Sequence, residues 1–200
     1  MAKGTWRIFC PGPSLDRATY RVSRDGSWRN DRSIAVNGAI LTVPCRYWAV
    51  MDYHVVPSIV RLGHDSTSFL SGIKLWCPRS LVTETRKYQP DSLEILNVLD
   101  KAFFPEEPYP PELTGIDPEF LWNSFTLMAA IGKALVEEAT DIWIYGADMG
   151  GSGYFDTRLN TVHDTHSEER WGEEQRIYRI VEKFCFERGV TIRRELDGHS

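Results

Sequence analysis

Residues 121–153 read LWNSFTLMAAIGKALVEEATDIWIYGADMGGSG, and this stretch decides the fold. In its first half, apolar side chains recur at helical spacing, at Leu121, Phe125, Met128, Ile131 and Leu135. Its second half contains the short apolar run Asp141–Tyr145, which predicts a buried strand, followed by a glycine-rich loop. A helix that leads directly into a buried strand is the repeating unit of a parallel α/β sheet.

The rest of the chain repeats this alternation of helices and strands. Asp117 and Pro118 predict the start of the first helix, as its cap and first helical residue, and we expect it to end near Ala139. A second helix is predicted from Glu168 to Arg188. Short apolar runs predict the other strands, at residues 6–10, 33–36, 47–51, 73–77 and 190–192. We therefore predict an α/β, Rossmann-like, mostly parallel sheet with helices on both faces.

Length and composition predict one globular domain. The chain has 200 residues, of which 42% are hydrophobic and 26% are charged, so it can bury a core and is unlike a disordered chain. The net charge of −5 excludes a strongly basic nucleic-acid-binding surface over the whole protein but leaves a local basic groove open. Neither a run of about 18 apolar residues nor a signal peptide is found, so we expect a cytoplasmic protein without a membrane span. The four scattered cysteines are expected to be reduced, buried thiols.

The single domain is predicted to include residues 1–200, with one proline-rich segment. Residues 104–118 hold five of the eleven prolines, a density that excludes a regular helix or a central strand. We expect this segment to be a loop or a small lid.

Polar or glycine-rich residues follow several predicted strands at the point where each strand ends. In a doubly wound sheet the ligand lies outside the carboxyl ends of the strands. The candidate nucleotide- or donor-binding residues at these ends are Gly12, Pro13, Ser14, Asn37, Asp52 and Asp148. The turn around Gly12 and Ser14 could hold a phosphate, although it is also typical of a plain Pro-Gly turn. Asn37 could bind a base or ribose, and Asp52 or Asp148 a hydroxyl or a metal, although each is also common in turns.

Further candidates lie in the segment that follows the glycine-rich loop. Tyr154 could stack on a ring or donate a hydrogen bond to a phosphate. His163 and His166 precede the predicted Glu168 helix, and histidine is the natural general base near pH 7. The spacing of these two histidines could also hold a metal, or both could be ordinary surface residues.

Six short motifs follow one another along the chain in a recognisable order. They are Cys10-Pro-Gly-Pro-Ser-Leu15, Ile34-Ala-Val-Asn37, Asn123-Ser124, Ile144-Tyr-Gly-Ala-Asp148, Tyr154-Phe-Asp156 and His166-Ser167. This order resembles the bacterial sialyltransferases of the Campylobacter lipooligosaccharide type, which carry a G-N-G-P-S-L turn, a C-N strand end, a T-S-G helix start, a G-I-D strand end, a Y-x-F-D loop and a late G-H-S. The same skeleton is similar to the wider group of proteins related to 6-hydroxymethylpterin diphosphokinase. The resemblance covers the chain from Ile8 to Ile192.

The resemblance implies a Rossmann-like enzyme that binds a cytidine nucleotide-sugar donor without a metal and transfers the sugar to a hydroxyl acceptor. In that pattern, the nucleotide and its phosphate would be held by Gly12, Ser14 and Asn37. Ser124 would contact the donor at a helix start. Tyr154 would assist the departing phosphate, and His166 would be the general base of an inverting transfer.

Three positions depart from the family pattern and leave other functions open. Pro11 and Asp52 stand where the family has asparagines, and Gly150 stands where it has a second tyrosine. An acidic Asp52 beside a phosphate is repulsive unless a cation intervenes, which favours a metal-using phosphoryl transferase or a different donor sugar. The phosphoryl transferase would be a magnesium-dependent pyrophosphokinase with Asp52 and Asp148 as Mg²⁺ ligands. Loss of donor contacts at Pro11 and Gly150 would instead fit a non-catalytic nucleotide-binding module that kept the fold.

Overall fold

The computed structural model describes residues 4–15, 31–43, 45–52, 54–62, 70, 72–87, 94–97, 121–122, 125–150 and 167–195. Within these ranges, seven strands form one sheet in which every neighbouring pair is parallel. The strands are β1 (Gly4–Phe9), β2 (Ser33–Val36), β3 (Tyr47–Ala49), β4 (Lys74–Cys77), β5 (Glu94–Asn97), β6 (Ala139–Tyr145) and β7 (Thr191–Glu195). Their order across the sheet is β5-β4-β3-β2-β1-β6-β7.

The chain builds the sheet outward from β1 in two opposite directions. Strands β2 to β5 are added on one side of β1, and β6 and β7 on the other. Ile8 of β1 is therefore paired with Ile34 of β2 on one side and with Ile144 of β6 on the other. A reversal of this kind leaves a crevice at the carboxyl ends of the two central strands, where open α/β sheets bind their ligands.

Helices cover both faces of the sheet, as the sequence predicts. The described helices are a 3₁₀ helix (Asn37–Leu41), α1 (Val55–Leu62), α2 (Arg79–Arg86), α3 (Thr126–Val136) and α4 (Glu168–Glu187). Ile8 and Ile34 belong to the core that includes α3 and α4, whereas Phe9 and Ala35 belong to the core with α1, α2 and the 3₁₀ helix. Successive strand residues point to opposite faces, so strands buried on both sides are continuous apolar runs.

The single long helix predicted from Pro118 to Ala139 is wrong in its extent. Phe125 is extended, with φ −140° and ψ 141°, so α3 begins at Thr126. At the other end, Glu138 has a φ of 57°, which ends the helix, and β6 already begins at Ala139. The broken helix leaves Phe125 at the carboxyl edge of the sheet, where the site residues are expected.

Two helices and one strand, α1, α2 and β5, were not predicted from the sequence. Helix α1 carries Pro57 at its third position, which is tolerated because the N–H groups of a first helical turn lack intrahelical partners. Strand β5 is a four-residue strand at the sheet edge, paired with β4. The proline-rich segment at residues 104–118 lies outside the described residues.

The cysteines are free and buried, in agreement with the prediction. They are Cys10, Cys45, Cys77 and Cys185. Burial raises the pKa of the Cys77 thiol to about 11, so this group stays a neutral thiol near pH 7. Among the described helices, none is both long enough and apolar enough to cross a membrane.

Candidate functional site

The turn after β1 and the loop after β6 are joined directly at the crevice. The backbone N–H of Ser14 donates a hydrogen bond to Oδ2 of Asp148 at 3.0 Å. The N–H of Gly12 donates to the carbonyl of Gly146 at 2.9 Å. The Gly12 bond continues the backbone ladder of β1 and β6 past its last strand pair, and the Ser14 bond ties the same turn to a side chain of the loop after β6. The floor of the crevice is therefore fixed by one backbone contact and one side-chain contact.

Glycine is required at two positions of this junction. A Cβ on Gly12 would collide with the Asp148 carboxylate and the Gly146 carbonyl oxygen. Gly146 has a φ of +69°, and a Cβ there would collide with the carbonyl oxygen of Cys10. The space that a side chain at Gly12 would need is therefore filled by the loop after β6.

Two buried polar side-chain atoms at the crevice have no hydrogen-bond partner among the described residues. They are Ser14, through Oγ, and Asn37, through Oδ1. They follow β1 and β2, which are neighbouring strands. Leaving a buried polar atom unpaired costs about 1–3 kcal/mol, so both atoms are suited to contact a bound ligand.

Asn37 is also held in an uncommon backbone conformation. Its φ is 47°, in the left-handed region that Asn tolerates better than other residues with a side chain. The carbonyl of Asn37 accepts a 2.8 Å hydrogen bond from Nε1 of Trp48, which fixes the peptide at the start of the 3₁₀ helix. Strain held at a strand end is typical of positions that bind ligands.

Asp52 and Asp148 are separated by the width of three strand intervals. Asp52 is exposed and follows β3, whereas Asp148 follows β6, with β2 and β1 between them. The Asp148 carboxylate reaches across to the turn after β1, where it accepts the Ser14 N–H. The structure therefore places Asp148 at the crevice floor, whereas Asp52 follows a strand two positions further along the sheet from β1.

Three predicted site residues, Ser124, Tyr154 and His166, lie outside the described residues. The structure does place the residues that follow two of them. Phe125 occupies the N-cap position of α3 without a side-chain hydrogen bond. Ser167 caps α4, and its hydroxyl accepts a hydrogen bond from the N–H of Arg170 at 3.3 Å. The guanidinium of Arg170 lies 4.8 Å from the ring centre of Phe125, so the starts of the two helices are in contact. Both helices lead into parallel strands, so both starts face the carboxyl edge of the sheet.

Three charged residues beside the crevice were missed by the sequence analysis. They are Arg170 and Glu174 of α4, and Arg194 of β7. Glu174 stands three residues before Ile177, on the buried side of the helix, and this spacing could have identified it as a carboxyl on an apolar face. Burial raises the pKa of Glu174 to about 7, against the opposing attraction of Arg170 and Arg194.

Cys10 is adjacent to this charged group at the end of β1. Burial raises the pKa of its thiol, and the nearby carboxylates of Glu174 and Asp148 raise it further. The thiol is therefore neutral at physiological pH and is not suited to act as a nucleophile.

Comparison with known proteins gives one solved structure of the same fold. No family model matches the chain, and no curated protein matches it. The solved structure is the sialyltransferase CstII from Campylobacter jejuni, in complex with the substrate analogue CMP-3FNeuAc; it is 13% identical, with a TM-score of 0.50, and the match covers 97% of this chain and 81% of that chain. The chain therefore has a sialyltransferase-like fold, which confirms the predicted Rossmann-like α/β sheet. The diphosphokinase-like part of the resemblance has no support from this comparison.

Proposed function

We propose that the protein is a glycosyltransferase that uses a nucleotide-activated sugar, with a CMP-sugar as the donor class and a hydroxyl group as the acceptor. The observation that carries the proposal is the pair of buried, unpaired atoms Ser14 Oγ and Asn37 Oδ1 at the reversal point of a sialyltransferase-like sheet. A hydroxyl and an amide oxygen on adjacent strand ends can contact the phosphate and the ribose or base of one nucleotide.

The junction between Ser14 and Asp148 leaves the hydroxyl of Ser14 for the ligand. The Asp148 carboxylate accepts the Ser14 N–H, so its charge is partly neutralised by the backbone that it holds. The Ser14 hydroxyl stays available to the ligand.

The chemistry of the proposed reaction is a single inverting displacement. His166 removes the proton from the acceptor hydroxyl while that oxygen forms its bond to the anomeric carbon. The bond from the anomeric carbon to the donor phosphate breaks, and its electron pair leaves with the phosphate. Tyr154 donates a hydrogen bond to that phosphate and stabilises its charge. The roles of Tyr154, His166 and the donor-contacting Ser124 rest on the resemblance, since these residues lie outside the described ranges.

The proposal is tested by equilibrium binding and by turnover. Isothermal titration with CMP-3FNeuAc should show saturable binding, and EDTA should leave the affinity unchanged. Ser14→Ala should weaken binding about tenfold, because one hydrogen bond to a charged phosphate contributes roughly 1.5 kcal/mol. Thr42→Ala is the matched control, since Thr42 is an exposed hydroxyl residue just after the 3₁₀ helix.

Three outcomes separate this proposal from its alternatives. Metal-independent hydrolysis or transfer from a CMP-sugar supports the transferase. Binding of Mg²⁺-ATP with no response to CMP-, UDP- or GDP-sugars contradicts it in favour of a kinase. Tight nucleotide binding with no turnover on any acceptor panel contradicts it in favour of a non-catalytic module.

A further inference from the structure

The loop after β6 is held from α4 and β7 as well as from the turn after β1. Nε2 of Gln175, in α4, donates a 2.8 Å hydrogen bond to the backbone carbonyl of Met149. Met149 directly follows Asp148, and its side chain is buried. The sulfur of Met149 also accepts a 3.0 Å hydrogen bond from Nη1 of Arg194, in β7. Two side chains from two other elements therefore hold one residue of this loop.

The backbone of Met149 has a conformation that depends on such contacts. Its φ of 50° lies in the left-handed region, which is unfavourable for a residue with a side chain. A strained residue keeps such a conformation only where its surroundings hold it. Gln175 bonds the carbonyl of Met149 and so acts on the strained backbone itself, whereas Arg194 contacts only the side chain. Loss of the Gln175 amide should therefore let the backbone of Met149 relax.

A rotation of the Met149 backbone would also redirect Asp148. The two residues share a peptide bond, so a change in the φ of Met149 turns that peptide relative to the buried Met149 side chain. The Asp148 carboxylate accepts the N–H of Ser14 at 3.0 Å. The hydroxyl oxygen of Ser14 is buried and without a hydrogen-bond partner among the described residues. A continuous chain of covalent and hydrogen bonds thus joins Gln175 to Ser14.

We propose that Gln175 is a positioning residue of the donor site, which holds the Met149 carbonyl and thereby keeps the Asp148 carboxylate on the N–H of Ser14. This inference rests on the proposed function, because the site that Gln175 positions is the nucleotide site around Ser14. The role needs no contact between Gln175 and the ligand. When part of the population leaves the binding-competent conformation, the apparent affinity falls in proportion to the fraction that keeps it.

The first measurement is hydrogen exchange at the Ser14 amide, followed in nitrogen-15 spectra of the protein without ligand. Gln175→Ala removes the donor, and Gln175→Glu keeps the shape of the side chain but replaces the amide with a carboxylate that only accepts. Both variants should accelerate exchange at Ser14 about three- to tenfold, because one neutral hydrogen bond is lost. The amide of Val50, which donates to the carbonyl of Trp76 at 2.9 Å, should exchange as in the parent.

Glu173→Ala is the matched control, because Glu173 is an exposed residue of the same helix. This variant should keep the exchange rates of the parent at both Ser14 and Val50. Equal acceleration at Ser14 and Val50 in Gln175→Ala would mean that Gln175 acts only on global stability, and this result would overturn the inference. Unchanged exchange at Ser14 would overturn it as well.

The second measurement is isothermal titration of the same variants with CMP-3FNeuAc. Gln175→Ala and Gln175→Glu should bind about three- to tenfold more weakly than the parent, and Glu173→Ala should bind like the parent. If the parent itself does not bind CMP-3FNeuAc, the proposed function fails, and exchange at Ser14 alone decides whether Gln175 positions the loop. If the parent binds and faster exchange at Ser14 leaves the affinity unchanged, the link between this loop and the donor site is refuted.

Discussion

The backbone N–H of Ser14 donates a 3.0 Å hydrogen bond to Oδ2 of Asp148, although the two residues are 134 positions apart in the chain. The bond joins the turn after β1 to the loop after β6. At this point in the sheet, the strands that follow β1 in the chain lie on one side of it and β6 lies on the other. Asp148 is therefore a structural acceptor for the crevice floor, whatever ligand the crevice binds.

Removing this acceptor should lower stability by a measurable amount. Asp148→Ala leaves the Ser14 N–H without its partner, and we expect a loss of about 1–3 kcal/mol in the free energy of unfolding. Asp148→Asn keeps a side-chain oxygen that can accept the same bond, so its loss should stay below about 1 kcal/mol. Urea unfolding monitored by circular dichroism measures both, and equal losses for the two variants would contradict the assigned role.

Gly12 and Gly172 form a matched pair for the same measurement. Gly12→Ala places a Cβ against a backbone carbonyl and a fixed carboxylate, and overpacking of this kind typically costs about 1–3 kcal/mol. Gly172 lies inside α4, and a Cβ added there would meet open space, so Gly172→Ala should stabilise the protein by about 0.5–1 kcal/mol. Opposite signs are expected, and a neutral Gly12→Ala would show that the two loops can separate freely.

The central strands could be predicted from the sequence because burial on both faces makes each one a short apolar run. Ile8 and Phe9 point to opposite cores, and both are fully buried. Strand β5 and helix α1 could not be predicted in this way. Their formation depends on pairing with β4 and on packing against the sheet, and these tertiary contacts override weak local preferences.

Some residues of the candidate site could likewise be predicted from local sequence, whereas the contacts between them could not. Ser14, Asn37 and Asp148 could be selected because each follows a predicted strand. The bond between Ser14 and Asp148 could not be, because it depends on strand order, which local patterns do not determine. Glu174 was missed because the prediction of α4 used only its apolar side chains. The influence of Arg194 on this carboxyl depends on the position of β7 in the sheet, which the local sequence does not determine.

Two substitutions at Asn37 separate its backbone role from its role in ligand binding. Asn37→Gly and Asn37→Ala both remove Oδ1, so both should weaken nucleotide binding, by about tenfold for one hydrogen bond. At a φ of 47° alanine is strained by about 1–2 kcal/mol, whereas glycine is not. Calorimetric titration and urea unfolding should thus show similar affinities and a less stable Asn37→Ala. Unchanged affinity in both variants would remove Asn37 from the site.

The proposed general base is tested by comparing the two histidines of the His163-Asp-Thr-His166 motif. Loss of a positioned base lowers a rate by about 10² to 10⁴, which is roughly 3–5 kcal/mol of barrier. His166→Ala should therefore reduce kcat by this factor with little change in nucleotide affinity, and His163→Ala should have a much smaller effect. Transfer kinetics on both variants, with an accepted donor, measure this. Full activity of His166→Ala would mean that the resemblance fails at its catalytic step.

Ionisation of Glu174 should make the folded protein less stable as the pH rises toward neutrality. Its pKa is raised from 4.5 to about 7 in the folded protein. Below about pH 4.5 the carboxyl is protonated in both the folded and the unfolded chain, so it has no differential effect. As the pH rises from 4.5 to about 7 the unfolded chain releases this proton first, and the folded state loses stability relative to it. Above about pH 7 both forms are ionised and the loss of stability is constant.

The measurement compares the unfolding free energies of the parent and of Glu174→Gln, obtained in urea at intervals from about pH 4 to pH 8. The difference between the two proteins isolates the contribution of this carboxyl. We expect the parent to lose stability relative to Glu174→Gln between pH 4.5 and about pH 7, and the difference in unfolding free energy to stay constant above that pH. A difference that does not vary with pH would show that the folded state leaves the pKa of Glu174 at its ordinary value.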